Sequence, residues 1–514
     1  MKKRALFTIP LSLLLIAAIV ASFFLINIKP ATGDVKQAQR LNEYTKPAVV
    51  RIIDYAVVQW QFLDYNPDVQ AVFERLNYQT LIGGSGSGAV ISADGYVVTN
   101  AHVVEFGKME DQAVADAAFE QLVAIMADYF QVDFNEAFDY LVAWTQYTGI
   151  QKATKVILPG GDVLDGEIKS YGAPINEGKD VAVVKIEGKN LPTIPLGKSD
   201  DIESQQDIWV SGYPAAADSD LLSPDSSLVS TMNAGQISAT DKKTEQGSPV
   251  IQINAAATHG NSGGPVINED GEIIGLLTFR GDTVNGQEVQ GFNFAVPVNT
   301  VTEFVNQAGV RDTKSDTDRL YKEGLDLYWG GYYKHALEKF EAVQRIYPNH
   351  SEIKEYISNS EKKMGDSKTL WADYAMMFYI GDGVAGLLVL ILLVFTFVGG
   401  RSKGQAGTAV LSGAGVPIAG VGTGVEVGAG AAGTGNGAVV GPQTMQVPPV
   451  TQTGTQQQEQ VPQQGQMPQS GHAPPAAAGP ETNIADLNKD GKVDIQDILL
   501  ALEEHQKRQK KKEE

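Results

Sequence analysis

The distribution of apolar and polar positions divides the chain into stretches of different character. Residues 5–28 carry no charge and follow Lys2, Lys3 and Arg4. A helix needs about 20 apolar residues to cross the hydrocarbon of a bilayer, whereas the apolar region of a cleaved signal peptide spans only about 7–15. Residues 5–28 are therefore expected to form a transmembrane helix or signal anchor. Over residues 36–310 short β-type runs (49–53, 88–91, 96–99, 181–186, 208–211, 250–253, 273–278) are separated by Gly, Asn and Asp turns. Such punctuation predicts a mainly β sandwich or barrel. Within it, 105–151 switches to helical spacing. Phe119, Leu122, Val123 and Met126 recur at three and four residues, as do Phe134, Phe138, Leu141 and Val142. This predicts a helical hairpin inserted into the β domain. It is either a packing decoration or a lid, since it starts three residues after His102.

Residues 316–365 are helical in pattern, and Gly324, Gly331, Tyr333, Ala336, Phe340 and Pro348 stand at the offsets of a tetratricopeptide repeat. About three such repeats are needed to bury their own faces, so a short helical stalk and a peptide-binding platform are both open. A second uncharged run, 383–400, precedes Arg401 and Lys403 and predicts a transmembrane helix over 380–400. Positive flanks mark the cytoplasmic side, which gives a multi-pass cell-membrane protein with residues from about 30 to 380 outside and the tail inside. Residues 404–480 are Gly/Ala-rich, then Gln/Pro-rich, with only Glu426 and Glu459 charged. They lack the material of a core and are expected to be a disordered linker.

Composition narrows the function. Acidic residues outnumber basic ones, 61 to 40, for a net charge of −21. This argues against a nucleic-acid partner, because phosphate binding needs clustered Lys and Arg. The absence of Cys excludes a disulfide framework, a thiolate nucleophile and Cys-ligated zinc.

Three segments carry candidate chemistry: Gly84-Ser85-Gly86-Ser87-Gly88 leading to Thr99-Asn100-Ala101-His102, then Lys179-Asp180-Val181-Ala182, then His259-Gly260-Asn261-Ser262-Gly263-Gly264-Pro265. A serine hydroxyl is a weak nucleophile until a neighbouring base takes its proton. Histidine titrates in the right range to do so, and a buried carboxylate fixes its tautomer. The order His102, Asp180, Ser262 is that of chymotrypsin-type enzymes. Gly260 lets the backbone turn so that its N–H and that of Ser262 point at one spot as an oxyanion hole, and Gly263 and Gly264 are expected to leave room for a substrate backbone. His259 is expected to be a surface side chain.

These segments resemble the HtrA/Deg-type branch of the trypsin-like serine proteases. The likeness extends through Lys46-Pro47-Ala48-Val49-Val50, Leu196-Gly197-Lys198-Ser199, Gly212-Tyr213-Pro214, Asn233-Ala234-Gly235-Gln236-Ile237-Ser238 and Phe292-Asn293-Phe294-Ala295-Val296-Pro297, about half the chain. It implies a double six-stranded β-barrel with the site between the barrels. It also implies His102 as general base, Asp180 as orienting acid and Ser262 as nucleophile, with oxyanion donors at Gly260 and Ser262 joined by Asn261. By the same likeness Ala256, six residues before the nucleophile, floors the specificity pocket together with Thr278. With no carboxylate there, cleavage after small or medium aliphatic residues is expected. The family's PDZ domain is replaced here by the repeat-like segment and the second apolar run, so homo-oligomerisation in the family's manner is left open.

The C-terminal segment 481–506 contains Asp486, Asn488, Asp490, Lys492, Asp494 and Asp497 at positions 1, 3, 5, 7, 9 and 12 of a loop with Gly491 at the sharp turn. This spacing suits calcium and resembles one dockerin or EF-hand repeat. Residues 507–514 form a basic tail suited to anionic lipid. The expectation is thus a membrane-anchored endopeptidase acting on protein or peptide substrates in extracytoplasmic quality control or processing. No cofactor is needed for catalysis, and Ca2+ is a candidate at the tail. The alternative is a protease-like scaffold with a calcium-responsive tail.

Overall fold

The computed structural model describes residues 2–31, 33–215, 226, 228–280, 291–311 and 315–398. The linker, the calcium motif and the basic tail lie outside the described residues. In chain order the first elements are α1 (Lys2–Ile26), α2 (Gln37–Thr45), β1 (Val49–Phe62), α3 (Pro67–Arg75), β2 (Gln79–Val90), β3 (Tyr96–Thr99), α4 (Asp111–Phe130), α5 (Phe134–Trp144), β4 (Thr145–Ile157), β5 (Val163–Asp165), β6 (Glu167–Tyr171) and β7 (Ala182–Lys185).

These strands form one seven-stranded antiparallel sheet in the order β5-β4-β1-β2-β3-β7-β6, where a closed six-stranded barrel was expected. The difference lies at Gly166. β5 pairs with β4 and β6 with β7, at opposite edges of the sheet, yet only Gly166 separates them along the chain. A single extended segment therefore borders both edges. A side chain at Gly166 would meet Val184 Cγ1 at 2.7 Å, so the bend is packed tightly against the sheet.

β1 and β2 run on beyond the barrel, and the insertion packs on their far ends. Ala56, Val58, Trp60 and Ile82 from the strands join Phe73 of α3 and Val114, Ala118, Leu122, Met126 and Leu141 of α4 and α5 in a second apolar core. Each fully buried Leu or Phe of this kind contributes about 1.5–3 kcal/mol. The insertion thus buries its apolar stripe against its own scaffold. Val142 departs from the expected face and is 56% exposed. Helix α3 begins at Asn66, whose side chain accepts from the N–H groups of Asp68 and Val69 at 3.1 and 3.4 Å, with Pro67 in the first turn.

The second half contains β8 (Asp207–Gly212), β9 (Thr231–Lys243), β10 (Pro249–Ile253), β11 (Pro265–Ile267), β12 (Ile273–Arg280) and β13 (Asn293–Pro297), followed by α6 (Val298–Gln307). These strands form a closed barrel, β10-β13-β12-β11-β8-β9, filled by Ile208, Val210, Ile251, Ile253 and Leu277.

Three helices follow: α7 (Asp316–Gly330), α8 (Tyr333–Ile346) and α9 (Ile353–Lys362). Phe340 of α8 lies directly over Gly324 of α7. Ile353, Tyr356 and Ile357 of α9 and Tyr44 of α2 join the hairpin's apolar core, and polar contacts tie it to the β domain. Asp318 accepts hydrogen bonds from the backbone N–H and hydroxyl of Thr193, Glu352 pairs with Lys46 at 3.0 Å, and Tyr44 donates to Asp326 at 2.8 Å. Burial pushes the Asp318 carboxyl up to about 6 despite those hydrogen bonds. The final described helix, α10 (Ala375–Val398), starts earlier than the expected 380–400 and includes Asp382. Residues Leu6–Ile26 and Trp371–Phe397 are long and apolar enough to cross a bilayer.

Candidate active site

Strand pairing brings the first two candidates together. β3 and β7 are antiparallel, with Thr99 opposite Ala182. His102 lies three residues after the end of β3, and Asp180 two residues before the start of β7, so both leave the same end of adjacent strands. The imidazole Nδ1–H donates to Asp180 Oδ2 at 2.7 Å, and the His102 backbone N–H donates to Asp180 Oδ1 at 3.0 Å. Asp180 is fully buried. Its Oδ2 also accepts from the hydroxyl of Thr278 on β12, which links the carboxylate to the second barrel. Ser262, between β10 and β11, donates its hydroxyl to the Thr278 carbonyl at 3.2 Å. Thr278 therefore touches both Asp180 and Ser262. The sequence had put it in the specificity pocket, but its side chain is spent inside the His–Asp–Ser cluster.

Burial pulls the His102 imidazole down, but the hydrogen bond and charge of Asp180, with the charge of Glu105, outweigh it and hold its pKa above the ordinary 6.5. Glu105 is itself raised, first by burial and then by the charge of Glu177. Beyond Glu105 the insertion is tied down by Asp54 of β1, whose carboxylate accepts from Gly107 N–H at 3.0 Å and from the Thr154 hydroxyl at 2.6 Å. Burial pushes Asp54 up to about 6.

The turn preceding Ser262 is set by one peptide plane. Asn261 N–H donates to the Thr258 carbonyl at 3.2 Å, and Gly260 has φ +89°. This is the pattern of a type II turn, which requires positive φ at its third residue. The His259 carbonyl accepts from Ala215 N–H at 2.8 Å, so the Gly260 N–H, across the same trans peptide, points the other way. Among the described residues neither Gly260 N–H nor Ser262 N–H donates a hydrogen bond. Both are free for a ligand oxygen. Asn261 differs from expectation, because its N–H closes the turn and its side chain is buried.

Gly263 and Gly264 also serve another end than expected. A Cβ at Gly263 (φ +82°) would fall 2.2 Å from the Ser87 carbonyl, and one at Gly264 the same distance from the Ser211 carbonyl. Their bareness lets the protein's own strands approach, where room for substrate was expected. Ala256 is exposed, and its carbonyl accepts from Asn233 Nδ2 at 3.1 Å.

Ser87 is the positioning residue that sequence reasoning passed over. It is fully buried on β2. Its hydroxyl donates to the Gly260 carbonyl at 2.7 Å and accepts from Tyr213 N–H at 2.9 Å. Its N–H donates to the Ser262 carbonyl at 2.8 Å. One serine of the first sheet thus holds the loop of the second barrel. The available signal was a strand interior reading Gly-Ser-Gly, which marks close backbone approach. Ser87→Ala leaves two buried polar groups unpaired, and a loss of about 2–6 kcal/mol is expected at about 1–3 kcal/mol per orphan, measurable by denaturant titration.

Comparison with known proteins bears on residues 86–276, which match the family of trypsin-like peptidase domains. HhoB of Synechocystis is 31% identical over 223 residues, covering 42% of this chain and 38% of that protein. The mitochondrial serine protease HTRA2 of Bos taurus is 28% identical over 230 residues, covering 43% and 36%. A solved HtrA-type protease, AlgW with a decapeptide, aligns at 22% identity and a TM-score of 0.34 over 53% of this chain and 67% of that one. The match spans less than two-fifths of the length of the two curated relatives. Over residues 86–276 the chain is similar to trypsin-like peptidase domains, and over a comparable stretch to HtrA- and DegP-like serine proteases.

Proposed function

We propose that the protein is a membrane-anchored serine endopeptidase that cleaves peptide bonds through Ser262, His102 and Asp180. The observation that carries this reading is the bond from His102 Nδ1 to a fully buried Asp180, with Thr278 joining that carboxylate to Ser262. In the resting arrangement the Ser262 hydroxyl donates to Thr278. For catalysis the hydroxyl must leave Thr278 for His102 Nε2, a kind of contact that often tightens only when substrate is bound. Nε2 then takes the hydroxyl proton as Oγ attacks the substrate carbonyl, and Asp180 stabilises the imidazolium. The oxyanion sits on the N–H groups of Gly260 and Ser262. The imidazolium returns its proton to the leaving amine, and a water, deprotonated by the same nitrogen, releases the acyl group and restores Ser262.

Gly260→Ala tests the oxyanion site. A Cβ there would lie 2.3 Å from the Tyr213 carbonyl at a backbone φ of +89°, so the peptide plane must turn. The expected cost is about 10²–10³-fold in kcat, measured on a fluorogenic peptide, with KM little changed. Ala256 offers no carboxylate for Arg or Lys, which favours cleavage after small or medium aliphatic residues.

The two apolar helices support a membrane anchor; we further read the protease domain as lying outside the cytoplasm and acting on protein or peptide substrates in quality control or processing. We extend the reading to Ca2+ at Asp486, Asn488, Asp490, Lys492, Asp494 and Asp497 in the tail. A fluorophosphonate probe applied to the full chain tests the central claim. Labelling at Ser262 is expected, and a folded chain that stays unlabelled favours the scaffold alternative.

A further inference from the structure

The two apolar helices touch each other in a regular way. Ser22 of α1 donates to Asp382 Oδ2 of α10 at 2.5 Å, and Thr396 of α10 donates to Thr8 of α1 at 2.7 Å. The two contacts are fourteen residues apart on each helix, or about 21 Å of helix rise, so both belong to one straight antiparallel pairing. Between them the less exposed positions are Thr8, Ser12, Leu15, Ile19 and Ser22 on α1, and Asp382, Ala385, Val389, Leu392 and Thr396 on α10, with Gly386 beside Ala385. Their spacing alternates four and three along α1 and three and four along α10. This is the seam of a left-handed coiled coil. The opposite faces carry Phe7, Leu14, Leu387 and Leu390, all well exposed.

In a bilayer the hydrophobic effect does not drive helices together, and small residues and interhelical hydrogen bonds do. A carboxylate within a span is costly unless it faces a partner. Asp382 has that partner in Ser22. Outside the spans both connections meet the same turn of the helical bundle. The Gly330 carbonyl accepts from Lys368 Nζ at 2.7 Å and the Gly331 carbonyl from Lys368 N–H at 2.9 Å, while Gly33 packs against the Trp329 carbonyl.

We infer that α1 and α10 form a lasting intramembrane pair within one chain, with Asp382 fixing its register through Ser22, so that the N-terminal helix is retained as the binding surface for the C-terminal one. The inference rests on the membrane reading proposed above. The chain has no Cys, so paired cysteines report without background. In native membranes, full-length Thr8→Cys with Thr396→Cys should give a fast-migrating intramolecular disulfide on mild oxidation. Thr8→Cys with Val394→Cys, on the 58% exposed face of α10, should not. Asp382→Leu should lower the yield of the first pair about five-fold, the scale of one interhelical polar contact, and Asp382→Asn, which keeps an acceptor for Ser22, should restore most of it.

Carbonate extraction of the same membranes separates the two claims. Release of the chain overturns the membrane reading and the pairing with it. Retention without the seam disulfide, equal cross-linking of both pairs, disulfide-linked dimers, or a mature chain lacking α1 overturns the pairing alone.

Discussion

Ser262→Ala is expected to reduce peptide hydrolysis by about 10⁶-fold, the scale at which a triad nucleophile acts as one unit with its base, while leaving the fold intact. Among the described residues the Ser262 hydroxyl has one partner, the Thr278 carbonyl at 3.2 Å. A hydrogen bond of this kind contributes about 0.5–1.5 kcal/mol, so the melting temperature should move by only a few degrees. The backbone of the loop is held independently, by Ser87 N–H on the Ser262 carbonyl and by Gly263 N–H on the Leu277 carbonyl, both at 2.8 Å. The proposed oxyanion donors are backbone groups and would survive the change. A residual rate of about 10³–10⁴ over water should therefore remain. The measurement is turnover of a quenched fluorescent peptide by the detergent-solubilised full chain, beside a thermal melt. Turnover above about one per cent of the parent would require a different nucleophile, because no intact triad loses so little on removal of its serine.

Sequence pattern carried the strands because short β-type runs are set off by Gly, Asn and Asp turns, and it carried the insertion because its apolar residues recur at helical spacing. It carried less where structure depends on one backbone plane or one polar contact. Gly166 splits a strand between two sheet edges, which no periodicity announces. Asn261 has a residue type suited to an oxyanion site, yet its N–H closes a turn. Thr278 looks like pocket lining until β12 is paired with β13 and its hydroxyl is aimed at Asp180. The α7–α8 hairpin appeared unable to bury its faces alone. α9 and Tyr44 complete its apolar core, while Asp318 pins it to the β domain at Thr193, and a polar pin in a helix leaves no mark on an apolar stripe. Asp382 is a different case. The expected span 380–400 already included it, but nothing in the pattern shows that the helix starts at Ala375 or that Ser22 hydrogen-bonds to the carboxylate.

Asp180→Asn separates a catalytic carboxylate from a packing one. The Asp180 carboxylate accepts three hydrogen bonds, from the His102 backbone, His102 Nδ1–H and the Thr278 hydroxyl. An amide of the same shape has one accepting oxygen and one donating nitrogen. With the amide nitrogen facing Nδ1, the imidazole must carry its proton on Nε2, where it cannot take one from Ser262. A fall of about 10⁴-fold in kcat follows from that tautomer alone. The pH profile supplies an independent sign. Catalysis needs the unprotonated imidazole, and His102 is held above 6.5 because the hydrogen bond and charge of Asp180, with Glu105, outweigh burial. The acid limb of kcat/KM in the parent should therefore lie above pH 6.5. In Asp180→Asn the charge is gone while burial remains, so the residual activity should rise at lower pH than in the parent. An Asp180 that merely packed would lower the rate and leave the limb in place. A limb that stays put, with kcat within about ten-fold of the parent, would remove Asp180 from the chemistry.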